Sequence, residues 1–356
     1  MIEQTSSIRV EKTEHSRLPE VDFDNLAFGR EHSDHMFMMD YRDGAWQEPQ
    51  IVPFKELQLS PFTSALHYGQ SIFEGMKAHL DPNDDIVFFR PYDNIERMNN
   101  SAERMCMPKL DPELFMEAMK QLAELDKDWI PRKEGSALYI RPLMFGADEF
   151  LGVQAAESYR FLILTGPVAG YYSKPVDVKV ETKYSRACEG GMGAAKTAGN
   201  YAGSLYPAGL ARQEGFDQLL WTDAKDHRYI EEAGTMNVMF LIDGRLITAP
   251  LSYDTILPGV TRKSVLTIAE EMGVSVEERR LPVEELVEAY DAGKLEDAFG
   301  TGTAATIAHI QSITHEGKVM KLKDPAERKL SNKIKEHLEA YKRGRIEDKH
   351  AWLVRG

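Results

Sequence analysis

Two spacings of apolar residues organise the chain. Between Asp111 and Lys127, Leu114, Phe115, Ala118, Met119, Leu122 and Leu125 recur at helical intervals, which predicts one amphipathic helix, capped by Asp111 and opened by Pro112. The stretch RKSVLTIAEEMG predicts a second, with Thr261 as its cap and Gly273 as its stop. In AERKLSNKIKEHLEAYKRG, Leu330, Ile334, Leu338 and Tyr341 line up on a third, opened by Asp324 and Pro325. DDIVFFRP, SALYIRPLMF and YRFLILTGPV read as strands. Val176, Val178 and Val180 alternate with Asp177, Lys179 and Glu181, the period of a half-buried strand of antiparallel type. Asp243-Gly244 between NVMFLI and RLITAP predicts a tight hairpin, and RDGAW is a weaker signal of the same kind.

Strands, hairpins and interspersed helices without regular βαβ alternation predict an α+β fold rather than a doubly wound sheet. VAGYYSKPVDV joins two strand-rich halves. The division expected is an N-terminal domain over 1–173, a connector over 174–184 and a C-terminal domain over 185–356.

Charge and composition narrow the function. With 43 basic and 57 acidic residues the net charge is −14, which argues against nucleic acid or an anionic membrane as the main partner. The N-terminal stretch has no apolar signal core, and no run approaches a membrane span. Cys106 and Cys188 form no C-x-x-C and suit a reducing compartment, so a cytoplasmic protein is expected. No His/Cys cluster or H-E-x-x-H has metal-ligand spacing, so no metal is expected.

Several short stretches bear candidate chemistry. GGMGAAKTAGNY places Lys196 and Thr197 after a run of small residues. A phosphate-cradling P-loop would need glycine where Ala195 stands and a continuous apolar strand before it. Otherwise Lys196 is a covalent catalyst or a plain surface lysine. FFRP and YIRPLMFG each end an apolar run in an arginine, Arg90 and Arg141; an arginine so placed needs a carboxylate partner or a bound anion. ILPGVTRKS runs a Pro-Gly turn into a helix N-terminus, where unpaired N–H groups attract anions, and FGTGTAAT offers a Gly/Thr turn with similar potential. YIEEAGTMN sets two carboxylates before a very apolar strand; Glu231 is expected to be solvated.

Taken in order, HYGQSIFEGMKAH, FFRPYDNIERM, LYIRPLMFG, GGMGAAKTAGNYA, EEAGTMNVMF, ILPGVTRKS and GTGTAAT resemble the signature of the branched-chain amino-acid aminotransferases, pyridoxal-phosphate enzymes of fold type IV. The resemblance implies a smaller N-terminal α/β domain and a larger C-terminal pseudo-barrel domain, with the active site between them. It implies that Lys196 forms the Schiff base with pyridoxal 5′-phosphate and moves the substrate proton, since only a primary amine makes a reversible imine. A pocket amine with a lowered pKa would serve as that base near neutral pH. Tyr201 is implied at the cofactor phenolic oxygen, and Glu232 at the pyridine nitrogen. Arg90, Val260, Thr261 and Thr303 are implied at the phosphate.

For the substrate, the resemblance implies the turn at Thr303 and Ala304 at the α-carboxylate. It implies Phe28, Tyr68, Phe73, Tyr139, Tyr171 and Thr235 along the side-chain pocket, and Arg141 at the distal carboxylate of glutamate or 2-oxoglutarate. Leu151 and Val153 match a loop that closes the pocket of the other subunit, which implies a homodimer. The reaction implied is transamination of L-leucine, L-isoleucine and L-valine with 2-oxoglutarate. The alternatives within the fold are a D-amino-acid aminotransferase and an aminodeoxychorismate lyase. Outside it stand a P-loop nucleotide-binding protein and a cofactor-carrying protein without turnover. Where some relatives carry a redox-sensitive C-x-x-C, this chain has Ala305 and Ala308, so no thiol switch is expected there.

Overall fold

The structure, a computed structural model, describes residues 7–170 and 174–356. They group into two compact units, the first drawn from the spans Met1–Tyr171, Ala195–Ala198 and Ala340–Gly356, the second from Tyr172–Ala194 and Gly199–Glu339.

The first unit is built on a ten-stranded sheet. Its path runs Arg9–Val10, Gln50–Pro53, His35–Arg42, Tyr159–Val168, Ala137–Gly146, Met76–Leu80, Ile86–Phe89 and Leu353–Arg355, with Ala45–Trp46 and Ser71–Phe73 beside it. Ala137–Gly146 and Tyr159–Val168 pair antiparallel over their whole length. The Pro91–Arg104 and Pro112–Leu125 helices pack on this frame, with Met98, Phe115, Met119 and Leu122 buried against Phe37, Phe88 and Phe161. Each such aromatic contributes roughly 1.5–3 kcal/mol on leaving water. The helix opened by Pro112 follows its pattern: Asp111 accepts the Glu113 N–H at 2.9 Å.

In the second unit, Met236–Ile242, Leu295–Gly302, Thr306–His315, Val176–Val180, Gln218–Thr222 and Tyr229–Ala233 pair in that order. Tyr229–Ala233 then pairs back with Met236–Ile242, which closes a six-stranded barrel. Closure leaves no open edge among these six, and inward side chains such as Val178, Leu220, Val238, Phe240 and Ile310 form one core. The Asp243-Gly244 hairpin forms as its residues demand: Ile242 pairs with Arg245, and both turn residues take positive φ, 49° and 73°. Asp43-Gly44 does the same.

Four expectations are corrected. Val176–Val180 runs parallel to both neighbours, although its burial alternates as expected; alternation reports one apolar face, not strand direction. Thr261 lies inside its helix, Val260–Glu271, and the extended residue before it is Gly259. The helix expected from Asp324 is split: Asp324 caps a single tight turn, Pro325–Glu327, then Arg328 is extended and the α-helix begins at Lys329. The break lets the buried Arg328 guanidinium reach the Lys323 and Ala298 carbonyls and Asp297. Arg141 does not end its strand; it sits in the middle of Ala137–Gly146.

Candidate active site

In the first unit the segment bearing Lys196 is held from two directions. Thr197 forms a bridge to Ile72, and the Phe73 N–H donates to the Lys196 carbonyl at 3.0 Å. The Lys196 N–H donates to Ser101 Oγ at 2.9 Å, and that hydroxyl donates to the Arg97 carbonyl one turn back on its helix. Thr197 Oγ1 donates to the Ser71 carbonyl at 2.8 Å. The backbone of Lys196 is therefore fixed on both sides, while its Nζ stands 4.9 Å from the centre of the Phe73 ring.

Behind it lies a buried ion pair that the sequence motifs did not single out. Glu74 is 0% exposed and meets Arg97 through two contacts, at 2.7 and 2.9 Å, with Asn94 and the Gly75 N–H on the same carboxylate. Burial alone would push its carboxyl up, but the Arg97 charge and hydrogen bonds, with Lys196 adding to them, hold it below the usual range.

Four residues expected at the substrate side chain are joined by contact. The Phe28 ring lies 5.0 Å from that of Tyr139, whose hydroxyl accepts from Arg141 Nη2 at 2.9 Å. The Arg141 guanidinium stands 4.7 Å from the centre of the Phe73 ring, the same ring that Lys196 faces. Phe28, Tyr139, Arg141, Phe73 and Lys196 thus form one continuous set. Tyr68 is exposed at the end of the Ser64–Tyr68 helix, and Leu151 and Val153 are exposed as well. Tyr171 lies outside the described residues. Arg90 occupies the position just before the Pro91–Arg104 helix, which also carries Arg97 and Ser101. Its Nε and Nη2 grip Asp93 at 3.0 and 2.7 Å.

In the second unit the organising residue is Asn237, which the motifs included but the sequence reading did not pick out. It pairs across the sheet with Glu232 on one side and Thr301 on the other. Its amide donates to Glu232 Oε1 and to the Leu257 carbonyl, both at 2.9 Å. Glu232, buried, also accepts the Leu257 N–H at 3.0 Å and pairs with Arg186 Nε at 2.7 Å. Arg186 Nη2 in turn donates to the Gly193 and Thr255 carbonyls. A Cβ on Gly259 would come 2.0 Å from Asn237 Oδ1, so only glycine lets the helix start this close. Gly259, the residue at the cap position of the Val260–Glu271 helix, has no side chain to offer its first amides. The buried Thr301 Oγ1 has no hydrogen-bond partner among the described residues. Thr303 and Ala304 follow in the turn after Leu295–Gly302, both half-buried. Thr235 is exposed in the Gly234 turn, and Tyr201 is half-buried in the Ala198–Ala202 helix.

Glu231 corrects an expectation. It is 5% exposed inside the Tyr229–Ala233 strand rather than solvated, and its Oε2 has no hydrogen-bond partner among the described residues. Burial pushes its carboxyl up to about 7, against the pull of Thr255 and Arg186 and with the help of the negative Glu232 and Asp223. Nothing in the local sequence distinguishes it from a loop carboxylate; Thr255 and Arg186, which act on it, come from elsewhere in the chain.

The first unit thus holds an amine on a fixed backbone, and the second holds an ion-paired buried carboxylate, a helix opened by glycine and a hydroxyl-bearing turn. Residues 71–313 match the family model described as amino-transferase class IV. The chain is 42% identical to branched-chain-amino-acid aminotransferase 2 of Bacillus subtilis over 99% of its own length and 98% of the relative's. Among solved structures it resembles the branched-chain aminotransferase of the archaeon Thermoproteus uzoniensis with norvaline, at a TM-score of 0.74 and 26% identity, covering 90% of this chain and 99% of that one. It also resembles the branched-chain amino acid aminotransferase of Escherichia coli, at 0.71 and 26%, covering 90% and 98%. A third solved branched-chain amino acid aminotransferase, complexed with N-(5′-phosphopyridoxyl)-L-glutamate, matches at 0.69 and 25%, covering 89% and 97%. The chain belongs to the class-IV aminotransferases, in the family of the branched-chain-amino-acid aminotransferases.

Proposed function

We propose that the protein transfers the amino group of L-leucine, L-isoleucine or L-valine to 2-oxoglutarate, reversibly, using pyridoxal 5′-phosphate held on Lys196. The observation that carries this reading is the set running from Lys196 through Phe73 to Arg141, Tyr139 and Phe28. It offers an amine, apolar rings and one guanidinium, which suits an aliphatic side chain in one half-reaction and a distal carboxylate in the other.

The residues present fit the cofactor. The first amides at Val260 and Thr261, the Thr301 hydroxyl, which has no hydrogen-bond partner among the described residues, Thr303 and Arg90 each suit a phosphate. Lys196 suits the aldehyde, Tyr201 the phenolic oxygen and Glu232 the ring nitrogen. When bound, the cofactor supplies a carbonyl carbon that takes the amino group and a ring that spreads the electron pair left at the substrate Cα. Lys196 Nζ would take the proton from that Cα and hand it to the carbon that carried the cofactor aldehyde, from a place fixed by Ser101 and Phe73. Glu232 keeps a proton on the ring nitrogen, and Asn237, Arg186 and the Leu257 N–H orient its carboxylate. The turn at Thr303 and Ala304 receives the substrate α-carboxylate.

Leu151 and Val153, the latter 88% exposed, support a homodimer in which this loop covers the pocket of the second subunit. The two free, exposed cysteines suit a cytoplasmic setting. Among the described residues no helix is long and apolar enough to cross a membrane.

The test is the visible spectrum of the purified protein after incubation with pyridoxal phosphate. L-leucine is expected to convert the bound aldehyde form to the amine form, and the Lys196→Ala protein to show neither the bound form nor turnover. A spectrum that ignores L-leucine and responds to D-alanine would shift the reading to D-amino acids; a fully active Lys196→Ala would overturn it.

A further inference from the structure

The C-terminal tail grips Arg90 in a way no part of the reading above requires. Arg90 sits in the left-handed region, at φ 50° and ψ 44°, a conformation that a residue with a side chain keeps only where its surroundings impose it. Its backbone N–H donates to the Trp352 carbonyl at 2.6 Å, at the point where Leu353–Arg355 pairs with Ile86–Phe89. The Arg90 guanidinium lies 4.7 Å from the centre of the Trp352 ring. Asp93 holds one edge of the guanidinium while the indole covers a face, so both its direction and its plane are set.

Trp352 is itself braced. Its ring stacks on His350 at 4.3 Å and lies 5.0 Å from Tyr341 and 5.7 Å from Phe89. The Asp348 carboxylate accepts the N–H groups of Trp352 and Leu353 at 2.8 and 2.9 Å and the Tyr341 hydroxyl. Those hydrogen bonds hold the Asp348 carboxyl below its usual range although burial opposes them. The tail is thus folded onto its own carboxylate before it presents the indole.

We infer that segment 348–355 is a positioning clamp for Arg90, with Trp352 as its working residue, so that the grip of the protein on a phosphate-bearing ligand depends on this segment. The inference rests on the proposal that Arg90 holds the cofactor phosphate. Asp93 partly neutralises Arg90, so its worth to a phosphate depends on being aimed, and the indole supplies that aim.

The experiment is equilibrium dialysis of the full-length apoprotein against pyridoxal 5′-phosphate and, separately, against pyridoxal, which lacks the phosphate. Trp352→Leu is expected to raise the Kd for pyridoxal phosphate about tenfold and leave that for pyridoxal unchanged, with most of the loss recovered in Trp352→Phe. Equal weakening of both ligands would reduce the tail to a structural prop, and no change in either would remove the clamp. Arg90→Lys separates the two levels. If it weakens pyridoxal phosphate while Trp352→Leu does not, the clamp alone fails; if it changes nothing, the phosphate role of Arg90 fails. Should Trp352→Leu not fold, Asp348→Asn carries the same comparison, because it loosens the tail and leaves the ring in place.

Discussion

The amide of Phe73 donates to the carbonyl of Lys196, and the ring of the same phenylalanine lies beneath the Lys196 amine. One residue therefore sets both where the lysine backbone sits and what its side chain faces. The opposite side of that backbone is set by Ser101. The catalytic role proposed for Lys196 requires its amine to return to the same place after each release, and two backbone hydrogen bonds define that place without restraining the side chain.

Ser101→Ala tests this directly. It removes the Ser101 acceptor of the Lys196 N–H in a half-buried place, which is expected to cost about 1 kcal/mol of stability. Turnover is expected to fall about tenfold while the KM for the amino acid changes little, since the loss is of alignment rather than of substrate contact. Denaturant melts and steady-state kinetics on the purified variant check both; unchanged turnover would mean that Phe73 alone suffices.

Arg97→Leu is expected to be worse for stability than for chemistry. It strands the Glu74 carboxylate, 0% exposed, without its cation, a loss of about 3–5 kcal/mol. Adding Glu74→Gln is expected to restore a large part of that loss, because a neutral amide needs no countercharge. A double variant no more stable than Arg97→Leu would place the cost in lost packing instead. Thermal and urea unfolding of the two proteins decide it.

Glu231 gives the protein a stability that falls with rising pH. Its carboxyl stands at about 7 when folded, against the ordinary value of 4.5. Below pH 4.5 both states hold the proton; between 4.5 and 7 the unfolded chain has lost it and the folded one still binds it. Folding then takes up a proton, and the contribution is lost progressively as pH rises, by about 3 kcal/mol in all. Glu231→Gln is expected to be more stable than the parent above pH 7 and to converge with it towards pH 4.5. Urea unfolding across that window measures the difference, and parallel curves for the two proteins would contradict it.

Gly259→Ala is expected to damage the site from a distance. The added methyl would push Asn237 away from Glu232, because its Cβ meets Asn237 Oδ1 at 2.0 Å. A stability loss of about 1–3 kcal/mol is expected from the overpacking. Slower turnover and faster cofactor loss are expected with it, and dialysis followed by an activity assay reads both. A variant that keeps its cofactor as the parent does would show that Asn237 can shift without disturbing Glu232.

Much of the local structure was legible in the chain. The stripe from Leu114 to Leu125, the Asp111 cap and both Asp-Gly hairpins are short-range consequences of side-chain spacing and turn chemistry, and they appear where their residues stand. The failures share a cause. Alternation at Val176–Val180 reports burial, and burial on one face is compatible with either strand direction. Thr261 has the chemistry of a cap, but the tight approach of Gly259 to Asn237 decides where the helix begins.

By itself, then, the sequence determined the residue types able to do the chemistry and the ordered motifs that hold them: a lysine in a small-residue turn, a carboxylate before an apolar strand, arginines after apolar runs, and a helix opened by Pro-Gly. These properties are local and survive in a linear reading. Only the tertiary structure decided that Ser101 and Phe73 hold the lysine, that Asn237 links Glu232 to the Thr301 strand, that Trp352 lies on Arg90, and that Glu231 is buried while Glu232 is paired. Each of these joins positions distant in the chain, or depends on which side of a closed sheet a residue faces, and neither is written in the spacing of neighbours.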